Sequence, residues 1–169
     1  NRKQNLALAY GRHSRIEDLS VYFVNVDGSM PNRDLSLLRS NHWVLSYNTM
    51  LTDNLKLSVE PYYQHMTNIP VSADSYITPL NSEDILFFDE VLISSGTGRN
   101  YGVDVTLERF LDNGVYYLFT GSLFDSKYTS GDGIQRNTRF NKNYVVNAPV
   151  GKEWKVGKGR NNLFSADLR

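Results

Sequence analysis

Polar and apolar positions alternate with a two-residue period along most of the chain, and helical spacing is scarce. The clearest run sets Leu55, Leu57, Val59, Pro61 and Tyr63 against Lys56, Ser58, Glu60, Tyr62 and Gln64. A second sets Tyr101, Val103, Val105 and Leu107 against Gly102, Asp104, Thr106 and Glu108. In a third, Trp43, Leu45, Tyr47, Thr49 and Leu51 alternate with Val44, Ser46, Asn48 and Met50. Weaker alternation at 4–12, 115–126, 142–154 and 162–169 brings the total to about seven strands. Side chains of a strand point alternately to opposite faces, so each run predicts one apolar and one polar face. Pro61 donates nothing to a ladder, and a bulge or a missing hydrogen bond is expected there.

The connections alternate in length. Short turns are expected at Thr52-Asp53-Asn54, at Leu111-Asp112-Asn113-Gly114 and around Gly157-Lys158-Gly159-Arg160, where Asn, Asp and Gly accept left-handed backbone. Long links cover 13–41, 68–98 and 127–141. Ordinary domains seldom carry structureless links beyond about 12–15 residues, whereas outer-membrane barrels put short turns on one rim and long loops on the other. The predicted fold is therefore all-β: an antiparallel up-and-down meander forming part of a transmembrane β-barrel, with long outer loops and short periplasmic turns.

A hairpin at 52–54 sets the register: Leu51 faces Leu55, Thr49 faces Leu57, Tyr47 faces Val59 and Trp43 faces Tyr63. On the other face Met50 meets Lys56, Asn48 meets Ser58 and Ser46 meets Glu60. Extending the meander puts Tyr10, Trp43, Tyr63, Tyr101 and Tyr144 near the long-loop ends, with Trp154 and Tyr117 toward the short turns. Aromatic girdles of this kind mark the two interfaces of a membrane barrel. Lys56, Glu60, Asp104 and Glu108 fall on the polar face, which suits a lumen but suits a half-solvated soluble sheet equally.

Composition narrows the alternatives. Apolar residues make up 40% of the chain while Tyr (11) and Phe (8) are plentiful, as expected where one face is greasy and the other wet. Lys+Arg and Asp+Glu balance at 18 each, so no charge excess points to nucleic acid. Cys is absent, which removes disulfide frameworks and cysteine metal sites. No apolar run approaches the roughly 18 residues of a membrane helix, and no signal-peptide pattern is legible. The chain reads as cut out of something larger, because its predicted strands lie close to both ends.

Residues 96–109, Gly-Thr-Gly-Arg-Asn-Tyr-Gly-Val-Asp-Val-Thr-Leu-Glu-Arg, resemble the G-x-G-x-N-Y-G strand of TonB-dependent receptors of the Bacteroides type. Thr120-Gly121-Ser122-Leu123-Phe124-Asp125-Ser126-Lys127-Tyr128 resembles the family's next upward strand. Gly131-Asp132-Gly133, Arg136-Asn137-Thr138, Arg139-Phe140-Asn141 and Asn143-Tyr144-Val145 are similar to the loop and strand that follow. Upstream, Glu60-Pro61-Tyr62-Tyr63-Gln64-His65 and Asn68-Ile69-Pro70-Val71 are similar to a strand and the start of its loop. The resemblance covers nearly the whole chain and is strongest over 96–147; Pro149 departs from it in the middle of the 142–154 strand.

The resemblance implies a barrel of about 22 strands filled by an N-terminal plug. It implies import of a scarce nutrient (an iron chelate, cobalamin, a glycan or a peptide) across a Gram-negative outer membrane, with energy relayed by the TonB complex. Neither plug nor TonB-contacting segment is recognisable, so residues 1–169 are expected to be part of the barrel wall from its C-terminal half. The expected partners are outer-membrane lipid, the rest of the barrel and plug, and the transported small ligand. TonB would be reached only through the plug.

Chemical motifs are sparse, and neither an enzyme nor a cofactor is expected. His13, His42 and His65 are far apart and read as loop or interface histidines before a zinc trio. No G-x-S-x-G elbow is present, and Ser122 has no recognisable base. Gly96-Thr97-Gly98 leads into a strand, whereas a phosphate cradle requires a helix. Asp132 between two glycines reads as a turn, since the acidic repeat of a calcium loop is missing. Ser82-Glu83-Asp84 and Asp89-Glu90 bracket an apolar stretch that reads as an extra hairpin before an acidic site. Within loop 68–98, Tyr76, Phe87, Phe88 and Arg99 are the candidate ligand contacts, because aromatic faces stack on flat cargo and charges orient polar cargo. Anchoring of Phe87 and Phe88 on the barrel rim is the plainer role. The competing functional class is a soluble β-sandwich or small β-barrel that binds a glycan or other small ligand.

Overall fold

The computed structural model describes residues 3–82 and 89–169. Its strands are β1 (Gln4–Arg15), β2 (Leu38–Thr52), β3 (Leu55–Val71), β4 (Ile93–Asp112), β5 (Val115–Thr129), β6 (Gln135–Asn137), β7 (Tyr144–Asn147), β8 (Val150–Val156) and β9 (Asn162–Leu168). One short helix, α1 (Leu19–Tyr22), sits in the first long loop with Asp18 as its N-cap. All nine strands belong to one antiparallel sheet of order β1-β2-β3-β4-β5-β8-β9, with β6 and β7 also paired to β5. The sheet is an up-and-down meander with seven positions along its path. It is open: no pairing joins β1 to β9 among the described residues.

The predicted register holds at Trp43↔Tyr63, Tyr47↔Val59, Asn48↔Ser58, Thr49↔Leu57 and Met50↔Lys56. It slips at the turn, where Thr52 rather than Leu51 faces Leu55 and Leu51 falls in a bulge. Asp53 and Asn54 keep negative φ, so this turn is not the left-handed kind its composition suggests. The second short turn is: Asn113 (φ 50°) and Gly114 (φ 75°) both adopt left-handed backbone between Asp112 and Val115. Beside Pro61 the β2–β3 ladder is interrupted at Leu45 and Ser46 without any shift of register, as the missing N–H requires. The 142–154 stretch splits into β7 and β8 around Ala148 and Pro149, yet both halves keep one register against β5, from Leu123↔Tyr144 to Val115↔Lys152.

The strands outrun their alternation. β3 continues past Gln64 to Val71 and β4 begins at Ile93, so the second loop is shorter than the alternation implies. Asn68 (φ 58°) makes this extension possible: a left-handed residue shifts the β3–β4 register and turns Ile69 and Val71 inward. Leu38, Met66, Ile69 and Val71 then form the main buried cluster, with Leu80 packed against it. Gly96 and Gly98 permit that packing, since a Cβ at either would lie within 3.0 Å of Ile69 or Val71 side-chain atoms. The glycines of 96–98 are thus packing residues.

That cluster lies at the long-loop end. Among the described residues the middle of the sheet has no second layer, and exposed large apolar side chains crowd one face, with Leu8 77% and Leu123 63% exposed. A compact protein of 19.3 kDa exposes about 8,500 Å². This chain exposes 11403 Å².

Candidate functional site: the two faces and the loop cap

The apolar face is built by register. Val59 lies between Tyr47 and Val105, and Leu57 between Thr49 and Leu107. Along β3 the band runs from Leu55 to Tyr63, eight residue intervals, or about 26 Å at ~3.3 Å per residue. From β1 to β5 no charged side chain interrupts it between the row through Tyr101 and the row through Arg109. Its upper border is one unbroken cross-strand row, Tyr10↔Trp43↔Tyr63↔Tyr101↔Asp125. The ring centroids of Tyr10 and Trp43 are 5.4 Å apart and those of Trp43 and Tyr63 5.8 Å. Polar tips find partners: Tyr10 Oη donates to Asn41 Oδ1 (2.8 Å) in the row above, and Tyr101 Oη to Asp125 Oδ2 (2.9 Å) within the row. Tyr144 stands one step below this row, opposite Leu123. Trp154 packs on Phe164 at 5.5 Å near the third short turn.

The opposite face carries a chain of side-chain hydrogen bonds across four strands. Ser40 Oγ accepts from Gln64 Nε2 (2.8 Å), and Gln64 Oε1 accepts from Asn100 Nδ2 (2.7 Å). Asn100 Oδ1 accepts from Ser126 Oγ (2.6 Å), which itself accepts from Thr138 Oγ1 (2.8 Å). Below this chain Glu60 and Asp104 stand directly opposite each other. Ser46 Oγ donates to Glu60 at 2.6 Å and Ser122 Oγ to Asp104. Two facing carboxylates repel each other, so these hydroxyl donors offset part of the cost. Ser122 therefore has a carboxylate partner that the sequence did not reveal. Tyr62 lies over Gly102, where a Cβ would meet the Leu123 carbonyl oxygen at 2.5 Å and the Tyr62 hydroxyl at 2.9 Å. Higher on this face, a cavity of about 330 Å³ is lined by His13, Arg15, Ser40, His42, Gln64 and Leu80, among others.

The long loops join into one cap. Asn32, fully buried, donates from Nδ2 to the carbonyls of Val21 (3.0 Å) and Glu90 (2.8 Å) and accepts from the Leu92 N–H (2.8 Å). The first and second loops are thereby tied together. The second is tied to the third by Tyr128 Oη and Ser130 Oγ, which donate to the carbonyls of Tyr76 (3.0 Å) and Ser75 (2.6 Å). Arg136 Nη2 pairs with Asp132 at 2.6 Å and the guanidinium lies 5.8 Å from the Tyr76 ring centroid. Hydrogen bonds from Arg136, then from the Ile134 N–H, hold the Asp132 carboxyl below its usual range. Asp132 is a turn residue occupied by its own loop.

The ligand candidates are not gathered at one place. Tyr76 lies with Arg136, whereas Arg99 is on the apolar side, 6.0 Å from the Tyr101 ring centroid and bonded to Gln135. Phe87 and Phe88 lie outside the described residues, as do Glu83 and Asp84. His13 and His42 are neighbours (ring centroids 5.0 Å), but His65 faces the other side of the sheet, opposite Asn41 and Arg99. Among the described residues no three His, Asp or Glu side chains are grouped to hold a metal. The Glu60–Asp104 pair was not legible because a long loop, not a tight turn, joins β3 to β4, and only a tight turn announces register. Comparison with known proteins finds no matching family model, no matching curated protein and no matching solved structure.

Proposed function

We propose that this chain is a section of the barrel wall of an outer-membrane, TonB-dependent nutrient receptor. The observation that carries the reading is the uncovered apolar band. From the row through Arg109 to the row through Asp125 it spans about the 25 Å apolar belt of an outer-membrane barrel, carries no charge in the rows between them across β1 to β5, and is bordered by a row of aromatic rings. Soluble monomers rarely expose contiguous apolar patches beyond a few hundred Å², so lipid is the natural cover. On this reading the hydrogen-bonded polar face lines the lumen and the cap of joined loops faces the outside. The plug, the energy relay and the cargo classes (iron chelate, cobalamin, glycan or peptide) come from the sequence resemblance.

The competing reading, a soluble β-sandwich or small barrel that binds a ligand, requires a second layer against the apolar face. All nine strands among the described residues belong to one sheet, which favours the membrane reading. Uptake decides the matter. Cells lacking the full-length protein are expected to lose energy-dependent uptake of one labelled cargo from a panel of ferric chelates, cobalamin, oligosaccharides and peptides. Unchanged uptake of the whole panel, with the protein fractionating outside the outer membrane, contradicts the proposal.

A further inference from the structure

Immediately above the aromatic row, on the same face, the register assembles a second row: Arg12↔Asn41↔His65↔Arg99↔Lys127↔Asn137. It contains basic and amide side chains and no acid. The next row upward carries Arg39 between Ser14 and Thr67, again without an acid. Among the described residues Asp125, in the aromatic row, is the nearest carboxylate on this face, and it takes Lys127 as its ion-pair partner at 2.9 Å. Arg99 donates to Gln135 and leans toward the Tyr101 ring, while its buried Nε has no partner. Arg12 is exposed and has no side-chain hydrogen bond or ion pair among the described residues. Three permanent cations thus share one row just beyond the apolar band, and one of them, Arg12, has no polar partner among the described residues.

We propose that this belt docks phosphate-bearing lipid headgroups at the outer surface of the membrane. The inference rests on the membrane reading above and adds a partner to it. Charge and height argue for the occupant together. A lipid whose tails cover the apolar band puts its headgroup just past the aromatic row, where a phosphate meets the Arg12 and Arg99 guanidiniums, which no acid among the described residues pairs, beside the Lys127 ammonium held by Asp125. Guanidinium groups match phosphate geometry, and Asn41 adds a neutral donor between Arg12 and Arg99 and Asn137 another at the end of the row beside Lys127. A belt made only for solubility would mix signs along the row.

The test uses the full-length protein purified in detergent, with insertion first checked by reconstitution into lipid vesicles. Binding of lipid A with its phosphates intact is compared with binding of dephosphorylated lipid A by native mass spectrometry, in wild type and in Arg12→Gln/Arg99→Gln/Lys127→Gln. Each cation near an anionic headgroup is worth about fivefold in affinity, so the triple variant is expected to lose on the order of a hundredfold for the phosphorylated lipid only. Arg12→Gln alone removes a side chain with no polar partner among the described residues and is expected to cost about fivefold, so the proposal stays testable if the triple variant misfolds. Equal binding of the two lipids by wild type, an undiminished preference in the variants, or complete competition by inorganic phosphate at the lipid's own concentration would overturn the belt as a lipid site. Those results leave the transport reading standing. Failure of the protein to insert would sink both.

Discussion

Asn32→Ala should loosen the loop cap without disturbing the sheet. The side chain is fully buried and makes three hydrogen bonds, so its removal strands the Leu92 N–H and the carbonyls of Val21 and Glu90. Val21 and Leu92 are themselves buried, which keeps water from replacing the lost partner. An unsatisfied buried donor costs about 1–3 kcal/mol. With two weakened acceptors and a small cavity added, the local opening free energy should fall by about 2–4 kcal/mol. At about 1.4 kcal/mol per factor of ten, Leu92 amide exchange should accelerate by roughly 30- to 1,000-fold. Hydrogen exchange with mass spectrometry on the full-length protein reads this directly, using Val59 and Val105 in the central sheet as internal references. An unchanged Leu92 amide, or equal acceleration at the references, would refute the idea that Asn32 clasps two loops into a locally stable cap.

Two further outcomes follow from the faces and the cap. Val105→Lys places a cation in the middle of the apolar band and should lower stability in lipid vesicles by about 2–4 kcal/mol, while Thr106→Lys, on the other face, should cost under about 1 kcal/mol; equal effects in urea titrations would contradict the facing. Because the Asp132 carboxyl is held low in the folded chain, the unfolded state binds more protons between the two pKa values. The Arg136–Asp132 clasp should therefore be at full strength above the ordinary carboxylate range near pH 4 and be lost as pH falls through the lowered value. Protection of the Ile134 amide, taken relative to the intrinsic exchange rate at each pH, should show that loss, and Asp132→Asn should remove the pH-dependent part of that protection.

Alternation made most of the sheet readable from sequence. Leu55 to Tyr63 and Tyr101 to Leu107 have one wet and one dry face, and a slip of one residue would exchange them. Asn113-Gly114 marked its turn because both residues accept left-handed backbone. The strand extensions were not legible, because above Gln64 the chain is buried beneath its own loops and Met66, Ile69, Pro70 and Val71 no longer alternate. The bulge at Asn68 further breaks the period. Pro149 ended a ladder yet spared the register, which no local pattern announces. The cap was hidden for a different reason. Asn32 and Tyr128 act through backbone carbonyls far along the chain, and such contacts leave no spacing in sequence. The same holds for the Glu60–Asp104 pair and the row from Arg12 to Asn137, each assembled by strand pairing across long loops.

The central claim, that one face of this sheet meets lipid, is tested most directly by a nitroxide scan along β3. The chain has no cysteine, so single Cys substitutions from Leu55 to Gln64 can each be labelled unambiguously in the cysteine-free background of this segment. With the full-length protein reconstituted in a bilayer, collisions with oxygen, which concentrates in lipid, are compared with those of a water-soluble nickel chelate. Labels at 57, 59 and 61 should favour oxygen and those at 58, 60 and 62 should not, giving a two-residue period in phase with the apolar band. Accessibility without that period, or nickel favoured at 57, 59 and 61, would contradict a lipid-facing wall.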